Sequence, residues 1–286
     1  MFHAFVSSHL KTYGPVGECI YCGVGEWSPG TARKLGDEHI IPEGLGGKLV
    51  LPEASCKSCE KETSRFELEW LRSAYYAARV QKNLGKKKKR PPTHLPLKVE
   101  VAGRTVVKQI RIDKYPAMVA TLLFDRPGVL LGVDTPRRDL SGGVAIGTHA
   151  NFGEYLSEHL AQGTVTFEPP RSSATSRELG RMLAKIAHAY AVAELGIDGF
   201  KACLPAIITG RDLTDLAHYV GGTRQLPNRS SAPYEIKLQE MISDDQRSYL
   251  VVRVQLLADM SGLPEYWIVV GERVATQEPK FNVGAA

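Results

Sequence analysis

The sequence predicts an α+β protein made of two parts: a small unit with four cysteines, and a larger mixed α+β domain with an antiparallel sheet. Two Cys-x-x-Cys motifs followed by a helical apolar pattern predict the first part. From Leu95 onward, apolar and polar residues alternate with a period of two, which is typical of half-buried strands. We therefore divide the chain into residues 1–85, a basic linker at 86–94 and a second domain at 95–286.

Composition and charge are those of an ordinary globular protein. Of the 286 residues, 43% are hydrophobic and 23% are charged, and no apolar run approaches bilayer length, so we expect no membrane partner. The N-terminus does not resemble a signal peptide, which favours a cytoplasmic location. The net charge of +5 lies wholly in residues 1–90, which hold 15 Lys and Arg against 10 Asp and Glu. Such a basic unit attracts phosphate backbones.

The cysteine pairs Cys19/Cys22 and Cys56/Cys59 are separated by 33 residues. Each pair places two thiolates on one tight turn, and two pairs complete the tetrahedral four-thiolate site of structural zinc. Two disulfides or a redox pair are the alternatives. A reducing compartment disfavours disulfides, and a redox motif needs only one pair. A zinc ion with four thiolate ligands has no open position, so we expect it to stabilise the fold and not to catalyse.

Between the two pairs lies the segment 37–42 (DEHIIP), and the glycine-rich segment GLGG follows it at 44–47. Glu38 and His39 place a carboxylate beside an imidazole, and Glu60 directly follows the last cysteine. Carboxylates bind hard divalent ions, and a neutral imidazole takes a proton from water near pH 7. We expect Glu60 in the first turn of a helix that begins near Cys56, where it is a second oxygen ligand.

This arrangement resembles the zinc-knuckle subgroup of the HNH (His-Asn-His, ββα-metal) endonucleases, over residues 15–70 or about a fifth of the chain. The resemblance implies that Glu38 binds a catalytic Mg²⁺ or Mn²⁺ ion and that His39 is the general base. It also implies that Glu60 is the second metal ligand. The chain departs from the family pattern twice. The middle Asn is absent from 49–53 (LVLPE), and Glu60 stands where the family usually has Asn or His.

The resemblance implies a metal-dependent endonuclease that hydrolyses phosphodiester bonds, most readily in double-stranded DNA, and that acts in defence or in a mobile element. A different class remains open, a catalytically inactive zinc-dependent module that binds nucleic acid or protein. For residues 95–286 we expect target recognition, sensing or association of identical chains. We expect basic side chains to contact the nucleic acid, namely Lys61, Arg65, Lys86, Lys87, Lys88, Lys89 and Arg90.

Hydrophobic periodicity predicts the elements in order. In the first part we expect two strands, within 31–42 and at 48–51, and one long helix at 57–84. In the second part we expect strands at 97–101, 106–112, 116–124, 129–133, 164–168, 234–241, 249–258 and 266–270. The helices expected there lie at 151–161, 176–195 and 212–220, and Ser176 is expected to cap the second of them.

Overall fold

The computed structural model describes residues 5–6, 11–25, 34–84, 92–160, 163–166 and 175–274. The helices in these ranges are α1 (Lys57–Arg72), α2 (Tyr76–Gln81), α3 (Phe152–Leu160), α4 (Ser176–Leu195), α5 (Pro205–Thr209) and α6 (Leu216–Tyr219). None of them is long and apolar enough to span a bilayer. The predicted contacts Lys86, Lys87, Lys88, Lys89 and Arg90 lie outside the described residues.

The strands form several antiparallel sheets, so the predicted mixed α+β class with antiparallel sheets is confirmed. The strands are β1 (Phe5–Val6), β2 (Gly36–His39), β3 (Val50–Ser55), β4 (His94–Val101), β5 (Arg104–Arg111), β6 (Met118–Phe124), β7 (Gly142–Thr148), β8 (Thr164–Thr166), β9 (Phe200–Ala202), β10 (Val220–Gly222), β11 (Tyr234–Ile242), β12 (Ser248–Leu256) and β13 (Tyr266–Arg273).

The largest sheet has the order β1-β11-β12-β13-β10, with β9 also paired to β13. The predicted meander of three strands near the C-terminus is its centre. α4 packs on this sheet and is buried along nearly its whole length. A capping box starts the helix at Thr175, one residue before the predicted cap, because the Glu178 side chain accepts from the Thr175 amide.

The first part of the chain forms the predicted order of strand, strand and helix. β2 pairs with β3 in antiparallel register, and α1 begins two residues after β3. The tight connection needs glycine at 47, where a Cβ atom would lie 2.0 Å from the Ile41 carbonyl oxygen. The single helix predicted at 57–84 is interrupted after Arg72. There the buried Tyr75 turns its ring onto Trp70, with the centroids 5.6 Å apart.

One continuous hydrophobic core runs through both parts of the chain. It contains Ile41 and Phe66 from the first part together with Met182 and Val252 from the second. The division into residues 1–85, a linker at 86–94 and a domain at 95–286 stays a prediction, as does the folding of residues 1–85 alone.

Several elements of the second part differ from expectation. Residues 128–131 form a 3-10 turn and not a strand, because Pro127 precedes it and Gly132 ends it in the left-handed conformation. The helix predicted at 212–220 shrinks to α6, and β10 follows at once. β7, β9 and α5 were not predicted. β7 begins with two glycines and exposes Val144, so it lacks the apolar alternation of a buried strand.

Candidate functional site

The structure brings the four predicted cysteines together. All four Sγ atoms lie within 4.8 Å of one another, so they can hold a metal ion such as zinc. Cys19 and Cys22 lie on a tight turn in which the Cys22 and Gly23 amides both donate to the Cys19 carbonyl. Cys56 precedes α1 and Cys59 lies in its first turn. A metal ion bound here would therefore link the junction of β3 and α1 to the turn that carries Cys19 and Cys22.

The cluster has the dimensions of a tetrahedral four-thiolate site. A Zn–S distance of ~2.3 Å implies Sγ–Sγ distances of ~3.8 Å in a regular tetrahedron, and Cys22 and Cys56 are 3.7 Å apart. A hydrogen bond from Cys59 lowers the pKa of Cys19 to about 4, whereas burial raises the pKa of Cys22 to about 11. Four thiolates therefore need a cation to coexist here, and the donor set fits zinc.

Glu38 lies in β2 with its side chain buried and bound to a lysine of the second part. Its Oε1 atom is 2.6 Å from Nζ of Lys185, and the two side chains are 6% and 1% exposed. Lys185, on α4, also lies 2.8 Å from Oε1 of Glu67 on α1. The structure thus turns the candidate metal ligand Glu38 away from solvent and neutralises its charge with an ammonium group.

The same ammonium group reaches the candidate base. Lys185 Nζ donates a hydrogen bond to the backbone carbonyl of His39, the last residue of β2. The His39 side chain is half-buried, and its Nδ1 atom makes no hydrogen bond within the described part of the chain. That nitrogen is also buried, so water does not reach it, and a role as general base would fall to Nε2.

Glu60 lies in the first turn of α1, as predicted, and is 48% exposed. Its Oε2 atom is 2.9 Å from Nζ of Lys57 and faces the start of β2, 3.8 Å from the place of a Cβ atom on Gly36. In the described ranges, only the four cysteines form a cluster of three or more potential metal ligands. Glu38, His39 and Glu60 therefore do not make a preformed divalent-metal site.

The buried carboxylate–lysine cluster shifts the pKa values of its members. Burial would lower the pKa of Lys185, but Glu38 and Glu67 outweigh it and raise that pKa above its usual range. Burial also raises the pKa of Glu67, against the opposing effect of Lys185. Lys185 is therefore charged near neutral pH.

A cleft of about 870 Å³ opens beside the cysteine cluster. Its basic side chains are Lys57, Lys61 and Arg65 from α1, and Arg211 from the loop after α5. Arg211 is held by the Tyr21 carbonyl, which accepts from Nη2 at 3.2 Å, and by the Thr209 hydroxyl. The predicted contacts Lys61 and Arg65 therefore line one cleft, although Arg65 is also 2.9 Å from Glu62.

The motif did not reveal the residues that the second part contributes to this region, Lys185 and Arg211. One signal was available for Lys185, which stands alone among apolar residues in the segment 182–187 (MLAKIA). A lone lysine on a buried helical face is expected to have an anionic partner. No comparable signal marks Arg211.

No family model matches the chain, and neither a curated protein nor a solved structure matches it.

Proposed function

We propose that the chain is a metal-dependent endonuclease that hydrolyses phosphodiester bonds of double-stranded DNA. The observation that carries the proposal is the β2–β3–α1 unit joined by the four-cysteine cluster, with His39 at the end of β2 and Glu60 at the start of α1. This is the order of elements that the resemblance to HNH endonucleases implies. The cluster supports a stabilising role for zinc, separate from catalysis.

In this proposal His39 takes the proton from the attacking water through Nε2, because Nδ1 is buried. Glu60 is the exposed carboxylate that can contact Mg²⁺ or Mn²⁺. One carboxylate is sufficient when substrate phosphates and water supply the other ligands, as is usual for Mg²⁺. A bound divalent ion supplies charge stabilisation at the phosphate and the leaving oxygen. Glu38 is not free for that role.

The basic cleft supports a nucleic acid as the substrate. Four basic side chains and one carboxylate, Glu62, line a cleft beside the cysteine cluster, so its charge is positive on balance, although two of the cations are paired with carboxylates of α1; the basic residues are Lys57, Lys61, Arg65 and Arg211. Charges of this kind bind phosphate backbones and make affinity fall with salt. None of the five cysteines is in a disulfide, in keeping with a reducing compartment such as the cytoplasm. Action in defence or in a mobile element, and association through residues 95–286, complete the proposal.

A second candidate function is a zinc-dependent module that binds nucleic acid or protein without catalysis. The ion pair between Glu38 and Lys185 favours it, because the carboxylate that the resemblance assigns to a metal ion is already neutralised. The absence of Asn from 49–53 agrees with that reading.

Plasmid cleavage separates the two functions. The full chain is incubated with supercoiled DNA and Mg²⁺ or Mn²⁺, beside His39→Ala and the matched control His94→Ala, whose histidine is exposed on β4. Zinc content is measured in all three proteins. We expect wild type and His94→Ala to cut, and His39→Ala to retain zinc and lose about 10²–10⁴-fold in rate. DNA binding without any cutting by the zinc-loaded wild type would select the binding module.

A further inference from the structure

Lys185 is the centre of a cage of oxygen atoms. Glu38 Oε1 at 2.6 Å, Glu67 Oε1 at 2.8 Å and the His39 carbonyl oxygen surround its Nζ atom. The contacts to the two carboxylates are ion pairs, and Glu67 Oε1 makes no hydrogen bond within the described residues, so attraction between opposite charges holds the cage together. β2 and α1 contribute the oxygen atoms of this cage, and α4 contributes the ammonium group at its centre.

Lys185 is one of two buried cations that α4 directs toward α1. Arg181, one turn earlier, places Nη2 2.7 Å from Glu62 and also donates to the Ile207 and Ile208 carbonyls. Arg181 thus meets a single carboxylate, whereas Lys185 joins two. Two carboxylates and a carbonyl are also the oxygen ligands that a divalent cation would take.

A divalent ion and the Lys185 ammonium cannot share this cage. Both are cations that need the same Glu38 oxygen atoms, and burial removes the water that would screen their repulsion. The Lys185 ammonium group is covalently part of α4, and the position of this helix is fixed because it is buried along nearly its whole length. A metal ion would have to displace a side chain that is 1% exposed.

We propose that Lys185, and not a divalent metal ion, is the cation that neutralises Glu38 in the working protein. Glu38 is then a positioning residue, which together with Lys185 fixes the end of β2 that carries His39. The inference rests on the proposed function for the role of His39, but the occupancy of the cage is a separate property. It revises the role that the family resemblance gives to Glu38.

Metal binding tests the occupancy directly. Mn²⁺ binding to the full zinc-loaded chain is measured by electron paramagnetic resonance and by calorimetry, for wild type and Glu38→Gln. We expect the Mn²⁺ affinity to be unchanged, or wild type to bind no Mn²⁺ at all. A fall of tenfold or more in affinity for Glu38→Gln would overturn the proposal, since it would place the ion on Glu38.

Emptying the cage gives the complementary test. Lys185→Met leaves two buried carboxylates without a cation, so Mn²⁺ should raise its thermal unfolding temperature by more than it raises that of wild type. Arg181→Met is the matched control and should respond no more than wild type, because Glu62 is a single carboxylate and keeps its contact with Arg65. Adding Glu38→Gln to Lys185→Met should abolish the extra response. Equal stabilisation of wild type and Lys185→Met by Mn²⁺ would contradict the proposal, and if Lys185→Met does not fold, the Glu38→Gln comparison still decides.

Cleavage kinetics test the positioning role. For Glu38→Gln we expect the maximal rate to fall by about 10–100-fold, because a catalytic group is misplaced, at an unchanged Mn²⁺ concentration for half-maximal rate. A purely structural defect would lower zinc content or stability, and both are measured. A shift of the Mn²⁺ concentration for half-maximal rate would show that Glu38 is a ligand of the metal ion. If wild type does not cut DNA, the proposed nuclease function is wrong. The Mn²⁺-binding experiments still show whether Lys185 or a metal ion occupies the cage.

Discussion

α1 is held at two points by clusters of different chemistry. At its start, Cys56 and Cys59 meet Cys19 and Cys22 in a set of four soft sulfur ligands. Two turns later, Glu67 meets Glu38 and Lys185 in a set of hard oxygen atoms around an ammonium group. The cation proposed for the first cluster can be removed by a chelator or by acid, whereas the cation of the second belongs to the chain. The four-cysteine cluster thus depends on a metal ion from outside, whereas the Lys185 cluster contains its own cation.

Loss of a sulfur ligand should have the largest effect. Structural zinc contributes about 10–16 kcal/mol of binding free energy in isolated zinc fingers, which matches or exceeds the ~5–15 kcal/mol stability of a typical domain. We expect Cys56→Ser to lose its zinc and its cooperative thermal unfolding, as measured by atomic emission and circular dichroism. Cys203→Ser is the control, because Cys203 lies outside the cluster and its thiol donates to the Val269 carbonyl. Full zinc content and an unchanged unfolding temperature in Cys56→Ser would show that the four-cysteine cluster does not stabilise the fold through zinc.

Loss of the internal cation should come second. Lys185→Met leaves Glu38 and Glu67 buried without their partner, which typically costs about 3–5 kcal/mol. Urea unfolding in metal-free buffer should show this loss with the zinc still bound. Replacing both carboxylates as well, in Lys185→Met/Glu38→Gln/Glu67→Gln, should recover part of it, because no buried charge then remains. A triple variant no more stable than the single one would show that packing, and not charge, is lost.

The pH dependence of stability should reveal a third, smaller effect at His188. Its Nε2 atom is 2.7 Å from the Ile20 carbonyl beside the cysteine turn, and burial lowers the pKa of this histidine to about 4. Between pH 6.5 and about pH 4 the unfolded chain binds a proton that the folded chain does not. Stability should therefore fall as the pH falls through that window, by about 3 kcal/mol.

The variant His188→Gln isolates this effect, because glutamine can donate to Ile20 but does not titrate. Protonation of the thiolates affects both proteins, so the difference between their urea midpoints reports on His188 alone. The wild-type curve should fall more steeply on the acid side. Parallel curves would show that His188 is solvated or charged in the folded protein.

Removal of one cleft arginine should have the smallest effect. If Arg211 contacts a phosphate, Arg211→Ala should weaken DNA binding a few-fold and reduce the slope of log affinity against log salt by about 1. Arg224→Ala, which removes another exposed arginine paired with Asp125, is the control. Fluorescence anisotropy with a labelled duplex at several salt concentrations gives both slopes. Identical slopes for the two variants would show that Arg211, and with it the cleft, does not contact the DNA backbone.

The local part of the candidate site could be predicted from the sequence because its members are close in the chain. All four cysteines lie within 41 residues, and their spacing defines a metal geometry without any knowledge of the fold. The positions of His39 at a strand end and Glu60 in the first helical turn follow from the same segment. The terminal strands and α4 were equally accessible, because their periodicity is long and regular.

The partner of Glu38 could not be predicted, because it depends on which helix packs against β2 and α1. Lys185 is 118 residues beyond Glu67, and only the tertiary fold brings them together. A carboxylate beside a histidine looks the same in the sequence whether it faces a metal ion or a buried lysine. The short elements α5 and β9 were missed, and α6 was predicted too long, for a related reason, since their positions are determined by packing and not by periodicity.

The distance in sequence between Glu67 and Lys185 affects the growing chain. Translation at 5–20 residues per second leaves roughly 6–24 s between the emergence of these two residues from the ribosome. During that interval the four cysteines are complete and can capture a metal ion, but Glu38 and Glu67 have no cation and stay in water. The end of β2 that carries His39 is therefore set last, after α4 has been made. The nascent protein therefore passes through a stage in which the four cysteines can hold a metal ion but the candidate site is not yet finished.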